Sequence, residues 1–285
     1  MDFEIVECDS FEALMELLPR LDASVPTLIV NTKRNSAGVL AMAVSRAKGV
    51  VADFDGTLHP GNEWQLVRGL LIPDLARAVE QDLQDTYYGA TSIRSRETNE
   101  AFIFRTVDRM VESGVTLASL TDIGESLTPR SWVPEFLKSF NPYNVLIVSF
   151  GLDPVIVSWC RWYYSERASI AALLLRYSLT TPARVVGAIE DSVVVDETKP
   201  DRVRIFRERR GFKPEETLVI GDSWTDLYMM EEGSTNILQL PSDNLQPGRM
   251  EERLASLRPG WARLNAIQLG NSFLPLAQVR GARVS

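Results

Sequence analysis

Short apolar runs alternate along the chain with longer stretches in which apolar residues recur every three or four positions. The runs include Thr27 to Asn31, Gly49 to Ala52, Val145 to Val148, Thr217 to Ile220 and Ile237 to Leu240. They are short and closed by turn residues, which predicts buried strands of a parallel sheet. The periodic stretches predict helices. Leu75, Val79 and Leu83 follow Pro73, a residue suited to a first helical turn, and Ile103, Val107, Met110 and Val111 form a stripe stopped by Gly114. Val133, Phe136, Leu137 and Phe140 share one face of a helix expected to start at Thr128-Pro129 and end at Asn141-Pro142.

In chain order, residues 1–48 read as two strand-helix units: Phe3 to Glu7 with Phe11 to Leu18, then Thr27 to Asn31 with a helix from about Ser36 to Ala47. These units either extend the main sheet, form a small subdomain, or make an oligomer contact such as that of a homodimer. The residues leave the three open. Helical spacing dominates residues 61–127, far more chain than a crossover between parallel strands requires, so a helical lid or cap beside the strand ends is expected there. Further on, Ala168 to Leu179 reads as helix, and Arg184 to Ile189 and Ser192 to Val195 as short strands. Another helix carries Val203, Ile205 and Phe206. Ile237 to Leu240 is expected to be the last strand, and residues 241–285 a tail with one helix at Gly248 to Leu257.

A chain of 285 residues forms one large domain or two smaller ones. The formal net charge of −8 argues against an unspecific nucleic-acid binder or an anionic-membrane binder, both of which need a strong positive field. Two cysteines, Cys8 and Cys160, are too few for a disulfide scaffold or a cysteine zinc site. The start, Met-Asp-Phe-Glu-Ile-Val-Glu, lacks the basic and apolar regions of a signal peptide, and no apolar run approaches the ~18 residues of a membrane span. The expectation is a cytoplasmic protein.

The chemistry sits where strands end. Gly49 to Leu58 closes an apolar run with Asp53 and Asp55, which leave the strand on the same side because strand side chains alternate. Carboxylates so close repel unless a cation or a shared proton relieves them, so the pair reads as a metal site or an acid/base pair. Val145 to Val148 runs into Ser149-Phe150-Gly151 and then a helix at Asp153-Pro154, a seat suited to an anion. Lys199 precedes a helix just upstream of Thr217 to Ile220, and that strand ends in Gly221-Asp222-Ser223-Trp224-Thr225-Asp226. Asp226 is expected to begin the next helix, with both acids in one crevice at the carboxyl edge of the sheet. His59, the single histidine, reads as a loop residue, and Trp224 as either a cleft or a packing residue.

Strand-end Asp-x-Asp-Gly-Thr, then Ser, then Lys, then Gly-Asp-x-x-x-Asp, in that order, resembles the haloacid dehalogenase-like hydrolase superfamily. The resemblance covers about residues 49–240 apart from the insert, whose place between the first two motifs is similar to that in phosphoserine phosphatase-like and cytosolic nucleotidase-like members. It implies an α/β, Rossmann-like parallel-sheet core at 49–60 and 128–240, with an inserted helical cap at 61–127. It also implies a Mg²⁺-dependent phosphatase acting on a small phosphorylated metabolite through an aspartyl-phosphate. Asp53 would be the nucleophile and Asp55 the general acid/base. Lys199, Ser149 and the neighbouring Phe150 and Gly151 would hold the phosphoryl group. Asp53, the Asp55 backbone carbonyl and Asp222 would hold Mg²⁺, with Asp226 in support. A phosphotransferase or mutase using the same nucleophile, and a binding protein without turnover, remain as alternatives. Specificity is expected from the insert, where Arg68, Arg77, Arg94, Arg96, Arg105 and Arg109 would grip a second anionic group and Trp64, Tyr87 and Tyr88 would stack on a ring.

Overall fold

The computed structural model describes residues 4–21, 25–84, 96–232, 235–240, 255 and 257–270. The strands are β1 (Glu4–Cys8), β2 (Thr27–Asn31), β3 (Gly49–Ala52), β4 (Val145–Leu152), β5 (Ser169–Leu173), β6 (Leu175–Tyr177), β7 (Val185–Ala188), β8 (Thr217–Gly221), β9 (Thr235–Leu240) and β10 (Ala266–Leu269). The helices are α1 (Phe11–Leu17), α2 (Ala37–Arg46), α3 (Glu63–Arg68), α4 (Pro73–Leu83), α5 (Arg96–Glu112), α6 (Leu117–Ser126), α7 (Val133–Lys138), α8 (Asp153–Tyr163) and α9 (Lys199–Arg210). Local signals set several starts. The Ser10, Ser36 and Asn62 side chains accept the backbone N–H groups of Ala13, Val39 and Trp64, and Thr116 and Ser119 form a reciprocal cap on α6.

Eight strands form one sheet in the order β1-β2-β10-β9-β8-β3-β4-β5. From β10 through β5 every pairing is parallel, while β10 meets β2 antiparallel and β1 lies parallel to β2. Every residue of β2, β3, β8, β9 and β10 is buried. This two-sided burial is why their sequences read as unbroken apolar runs instead of alternating patterns. Alternation still sorts the side chains: Val50, Ala52 and Phe54 join the core on one face with Ile147 and Ile220, and Val51 joins Leu146, Val148 and Val219 on the other. Phe54, between the two aspartates, is wholly buried and meets Trp159 edge-to-face at 5.2 Å between centroids.

Helices α3 to α6 lie in sequence between β3 and β4, and their apolar side chains belong to the first of these cores. Their carboxyl-terminal part is fastened to the sheet-bearing part of the chain. The α6 helix crosses α8 at Gly124, where an added Cβ would strike the Val155 carbonyl oxygen. The Tyr163 hydroxyl donates to the Glu125 carbonyl at 2.9 Å. The Leu117 N–H donates to Ala183 and the Val185 N–H to Val115, at 2.9 and 2.8 Å, which locks the α5–α6 turn to β7. The hairpin β6–β7 forms a separate two-stranded sheet.

Several expectations change. The run Ala168 to Leu179 contains β5 and β6, not a helix; a short, largely apolar run carries no clear period to tell strand from helix. Ser192 to Val195 is not a strand: the segment closes a tight turn at Glu190–Ser192, and Val193 to Val195 are buried without a strand partner. The helix expected from Thr128-Pro129 begins at Val133, because the Arg130 N–H is held by the Leu58 carbonyl at 2.9 Å. The strand at Ile237 to Leu240 is not the last, since β10 follows and inserts between β9 and β2. The helix expected at Gly248 to Leu257 falls almost wholly outside the described residues, as do Phe3, Tyr87, Tyr88 and Arg94. Among the described residues, no helix is long and apolar enough to cross a membrane.

The α6–α8 crossing yields a direct prediction. Gly124→Val should lower stability by roughly 1–3 kcal/mol, because the two helices cannot both keep their positions once a branched side chain enters the contact. Thermal or urea unfolding of the variant checks it, with Gly38→Ala, a change in α2 with open space around it and an ordinary helical backbone, as a comparison.

Candidate active site

Asp53 and Asp55 follow β3, Ser149 lies within β4, Lys199 opens α9, and Asp222 follows β8. Since β8, β3 and β4 are adjacent and parallel, these residues meet at one edge of the sheet, the carboxyl ends where open α/β folds bind ligands. The Asp53 N–H is held by the Ile220 carbonyl at 3.0 Å, which extends the β3–β8 pairing by one residue and brings the first acidic loop beside the last.

At the centre lies the Lys199 ammonium, 3% exposed, donating to Asp53 Oδ1 at 2.8 Å and to Asp226 Oδ1 at 2.6 Å. The other Asp226 oxygen accepts the backbone N–H groups of Asp222 at 2.9 Å and Ser223 at 3.0 Å, together with the Ser223 hydroxyl at 3.0 Å. Asp226 therefore does not begin an α-helix. It sits in the tight turn Trp224–Leu227, with its carboxylate folded back onto the start of its own loop. Asp222 accepts the Thr57 hydroxyl at 3.2 Å, and Gly56, at φ 80°, passes so near Asp222 that a Cβ would collide with its carboxylate. Asp55 accepts the Glu63 N–H at 3.1 Å at the start of α3.

Burial and charge act together here. Burial drives the Asp53 carboxyl well up, reinforced by Asp226 and Asp222 and opposed by Lys199. Burial also pushes Asp55 up to about 7, against the hydrogen bond from Glu63. For Lys199 burial works against the charge, but Asp226 and Asp53 outweigh it and hold the ammonium protonated. Asp53, Asp222 and Asp226 each place a carboxylate oxygen within 4.8 Å of the others. With Asp55 beside them, four acids confront one lysine, and all the acidic donors are oxygens. That donor set and that charge imbalance fit a hard divalent cation such as Mg²⁺.

Beside these groups opens a cleft of about 360 Å³. Its polar end is lined by Asp53, Asp55, Ser149, Asp196, Lys199 and Asp222, and its other walls by Trp64, Leu83, Phe102, Phe150 and Trp224. Two of the expected site residues do not line it: Asp226 is wholly buried behind Lys199, and Gly151 is covered by Glu63, donating its N–H to Ser149 Oγ at 3.0 Å. His59 is also outside the cleft, buried with Nδ1 3.1 Å from the Thr128 carbonyl oxygen, and burial lowers its pKa. The described arginines of the insert do not line the cleft either. Arg68 pairs with Glu80, Arg77 with Asp74, Arg96 with Glu100, and Arg105 and Arg109 both with Asp82.

Three buried charged residues escaped the sequence reading: Asp196, which lines the cleft, and Arg130 and Glu63, which brace it. Arg130, 5% exposed, donates Nε and Nη2 to the Gly56 carbonyl at 3.0 and 2.7 Å and so braces the Asp53–Gly56 loop from outside the cleft. Glu63 has no exposed surface, accepts the Leu152 N–H, and has a carboxyl raised by burial and by Asp55. It thus ties the Asp55 loop to the end of β4. An acid in the first turn of a helix looks ordinary in sequence, and only the β4 contact sets this one apart.

A model of the haloacid dehalogenase-like hydrolases matches residues 50–231, more than half of the chain. Among solved structures, a phosphoserine phosphatase with a phospho-aspartyl intermediate analogue superposes with a TM-score of 0.52 at 15% identity, covering 68% of this chain and 87% of that one. A probable phosphoserine phosphatase from Vibrio cholerae gives 0.54 at 16% identity over 85% and 68%. A cytosolic 5′-nucleotidase IIIB bound to cytidine gives 0.55 at 14% over 87% and 89%. At such identities these likenesses speak for the fold alone. A search of curated proteins gives no match. The family match spans the residues that carry all four strand-end motifs, and this chain belongs to the haloacid dehalogenase-like hydrolases.

Proposed function

We propose that this protein is a Mg²⁺-dependent phosphatase that hydrolyses a small phosphorylated metabolite through an aspartyl-phosphate on Asp53. The observation that carries the reading is the meeting of Asp53, Lys199 and Asp222 at the polar end of one cleft, with Asp226 locking Lys199 in place. Asp53 attacks phosphorus as a carboxylate, displacing the alcohol. Asp55, whose carboxyl titrates near neutrality, gives its proton to the departing oxygen and then takes one from the water that hydrolyses the acyl phosphate. Lys199 offsets the charge that builds up when an anionic nucleophile meets an anionic ester. Ser149 accepts the Gly151 N–H, which leaves its hydroxyl hydrogen free to donate to a phosphoryl oxygen. Asp53, the Asp55 carbonyl and Asp222 would hold Mg²⁺, which when bound supplies positive charge to the phosphoryl oxygens. Helices α3 to α6 serve as a cap that shields the site from water.

Removing the nucleophile, the metal or the lysine should each leave a distinct mark. Asp53→Asn should reduce release of inorganic phosphate from a panel of phosphomonoesters by at least about 10³-fold, with its circular dichroism unchanged. Retained release from a pure preparation would sink the assignment. EDTA should abolish release and added Mg²⁺ restore it, measured in the same assay. Lys199→Ala should lower kcat by about 10²–10³-fold and, by leaving Asp53 and Asp226 buried without their cation, cost about 3–5 kcal/mol in urea unfolding.

A further inference from the structure

The phosphatase reading leaves the organic half of the substrate open, and the cleft walls bear on it. Among the described residues Lys199 is the single cation that lines the cleft, and both of its hydrogen bonds already go to Asp53 and Asp226. Among the described residues of the insert, Arg68, Arg77, Arg96, Arg105 and Arg109, which a substrate with two anionic groups would call on, are each bound to an acid. Away from the acids the walls are Trp64 and Phe102, packed edge-to-face at 5.9 Å between centroids, with Leu83, Phe150 and Trp224. These come from two sides: α3, α4 and α5 provide Trp64, Leu83 and Phe102, and the strand-end loops provide Phe150 and Trp224.

We infer that the substrate is a phosphate monoester whose organic group carries no second anion and presents an apolar, ring-sized face to these aromatic walls. The inference rests on the phosphatase reading for where the phosphate sits, next to Lys199 and Ser149. Among the described residues, a second carboxylate or phosphate on the organic group would meet carboxylates, hydrocarbon and only the neutral groups of Asn62, Ser223 and Thr225, with no second cation to compensate it. A ring, in contrast, gains buried area and edge-to-face or stacked contact. The cleft volume of about 360 Å³ has room for the phosphate and a ring-sized group. The amino-acid ester O-phosphoserine, with an extra carboxylate and no ring, is the kind of compound that such walls reject.

The test separates this inference from the chemistry it rests on. Isothermal titration of the Asp53→Asn variant with Mg²⁺ present measures affinity without turnover, using phenethyl phosphate, O-phosphoserine and inorganic phosphate as probes. Phenethyl phosphate should bind at least about tenfold more tightly than either of the others. In a second variant adding Trp224→Ala, a half-buried position with little folding risk, the ratio of phenethyl phosphate to inorganic phosphate affinity should fall by a similar factor. Equal or tighter binding of O-phosphoserine, no discrimination at all, or an unchanged ratio in the Trp224→Ala protein would each overturn the inference. Phosphate release by the wild-type protein reads the other question. Selective binding of phenethyl phosphate with no release from any monoester would remove the phosphatase and keep the specificity. Release with O-phosphoserine preferred would do the reverse.

Discussion

The bond pair from Lys199 to Asp53 and Asp226 is the constraint on which the candidate site depends. Three separate stretches of chain, after β3, at the start of α9 and after β8, converge on one buried ammonium, and none of the three groups could be buried alone at tolerable cost. Asp226 acts in two directions, since one oxygen holds the lysine while the other gathers the N–H groups of Asp222 and Ser223. Position and charge are therefore set by one network. The remaining imbalance of negative charge is concentrated on the side where the cleft opens, which is where a cation and a phosphate would both be drawn.

The supports behind this network are as specific as its members. Arg130 grips the carbonyl of Gly56, Thr57 reaches Asp222, and Glu63 spans from Asp55 to Leu152. Thr57 and Glu63 each tie the loop after β3 to the end of another strand, and Arg130 ties that loop to the segment before α7, so a shift in one is resisted by the next. The helices of the insert are held less evenly. Their last part is bonded to β7 and wedged against α8 at Gly124, whereas α3 and α4 supply the cleft wall. The α6 helix cannot leave β7 and α8 as a body without breaking those backbone bonds.

The acids at the strand ends were legible in sequence because the signal is local: a short apolar run, then carboxylates and glycine in a turn. Where two segments far apart decide the outcome, the sequence was silent. Nothing near Glu63 or Arg130 in sequence names Leu152 or Gly56 as partners. The arginines of the insert suggested a second anion site. Two of them, Arg77 and Arg96, have their acids three and four residues away, but Arg68, Arg105 and Arg109 find theirs only through the packing of neighbouring helices. The strands β5 and β6 were misread because the short, largely apolar run that spans them has no clear period to tell strand from helix.

The placement of β10 has a consequence for how the protein is made. β2 pairs only with β1 and β10, so residues 4–31 join the rest of the sheet through a strand made near the other end of the chain. The Asn31 side chain caps the carbonyl of Trp261, 230 positions downstream, and that of Leu264. A ribosome delivers β1 and β2 first, yet their seat does not exist until residues 266–269 have emerged. Until then β2 and β9 both present unpaired edges, the kind of surface that invites strand exchange between nascent copies. Strands β1 and β2 are thus built into the sheet only after β10 is made, and their protection during synthesis falls to whatever shields unpaired strands in the cell.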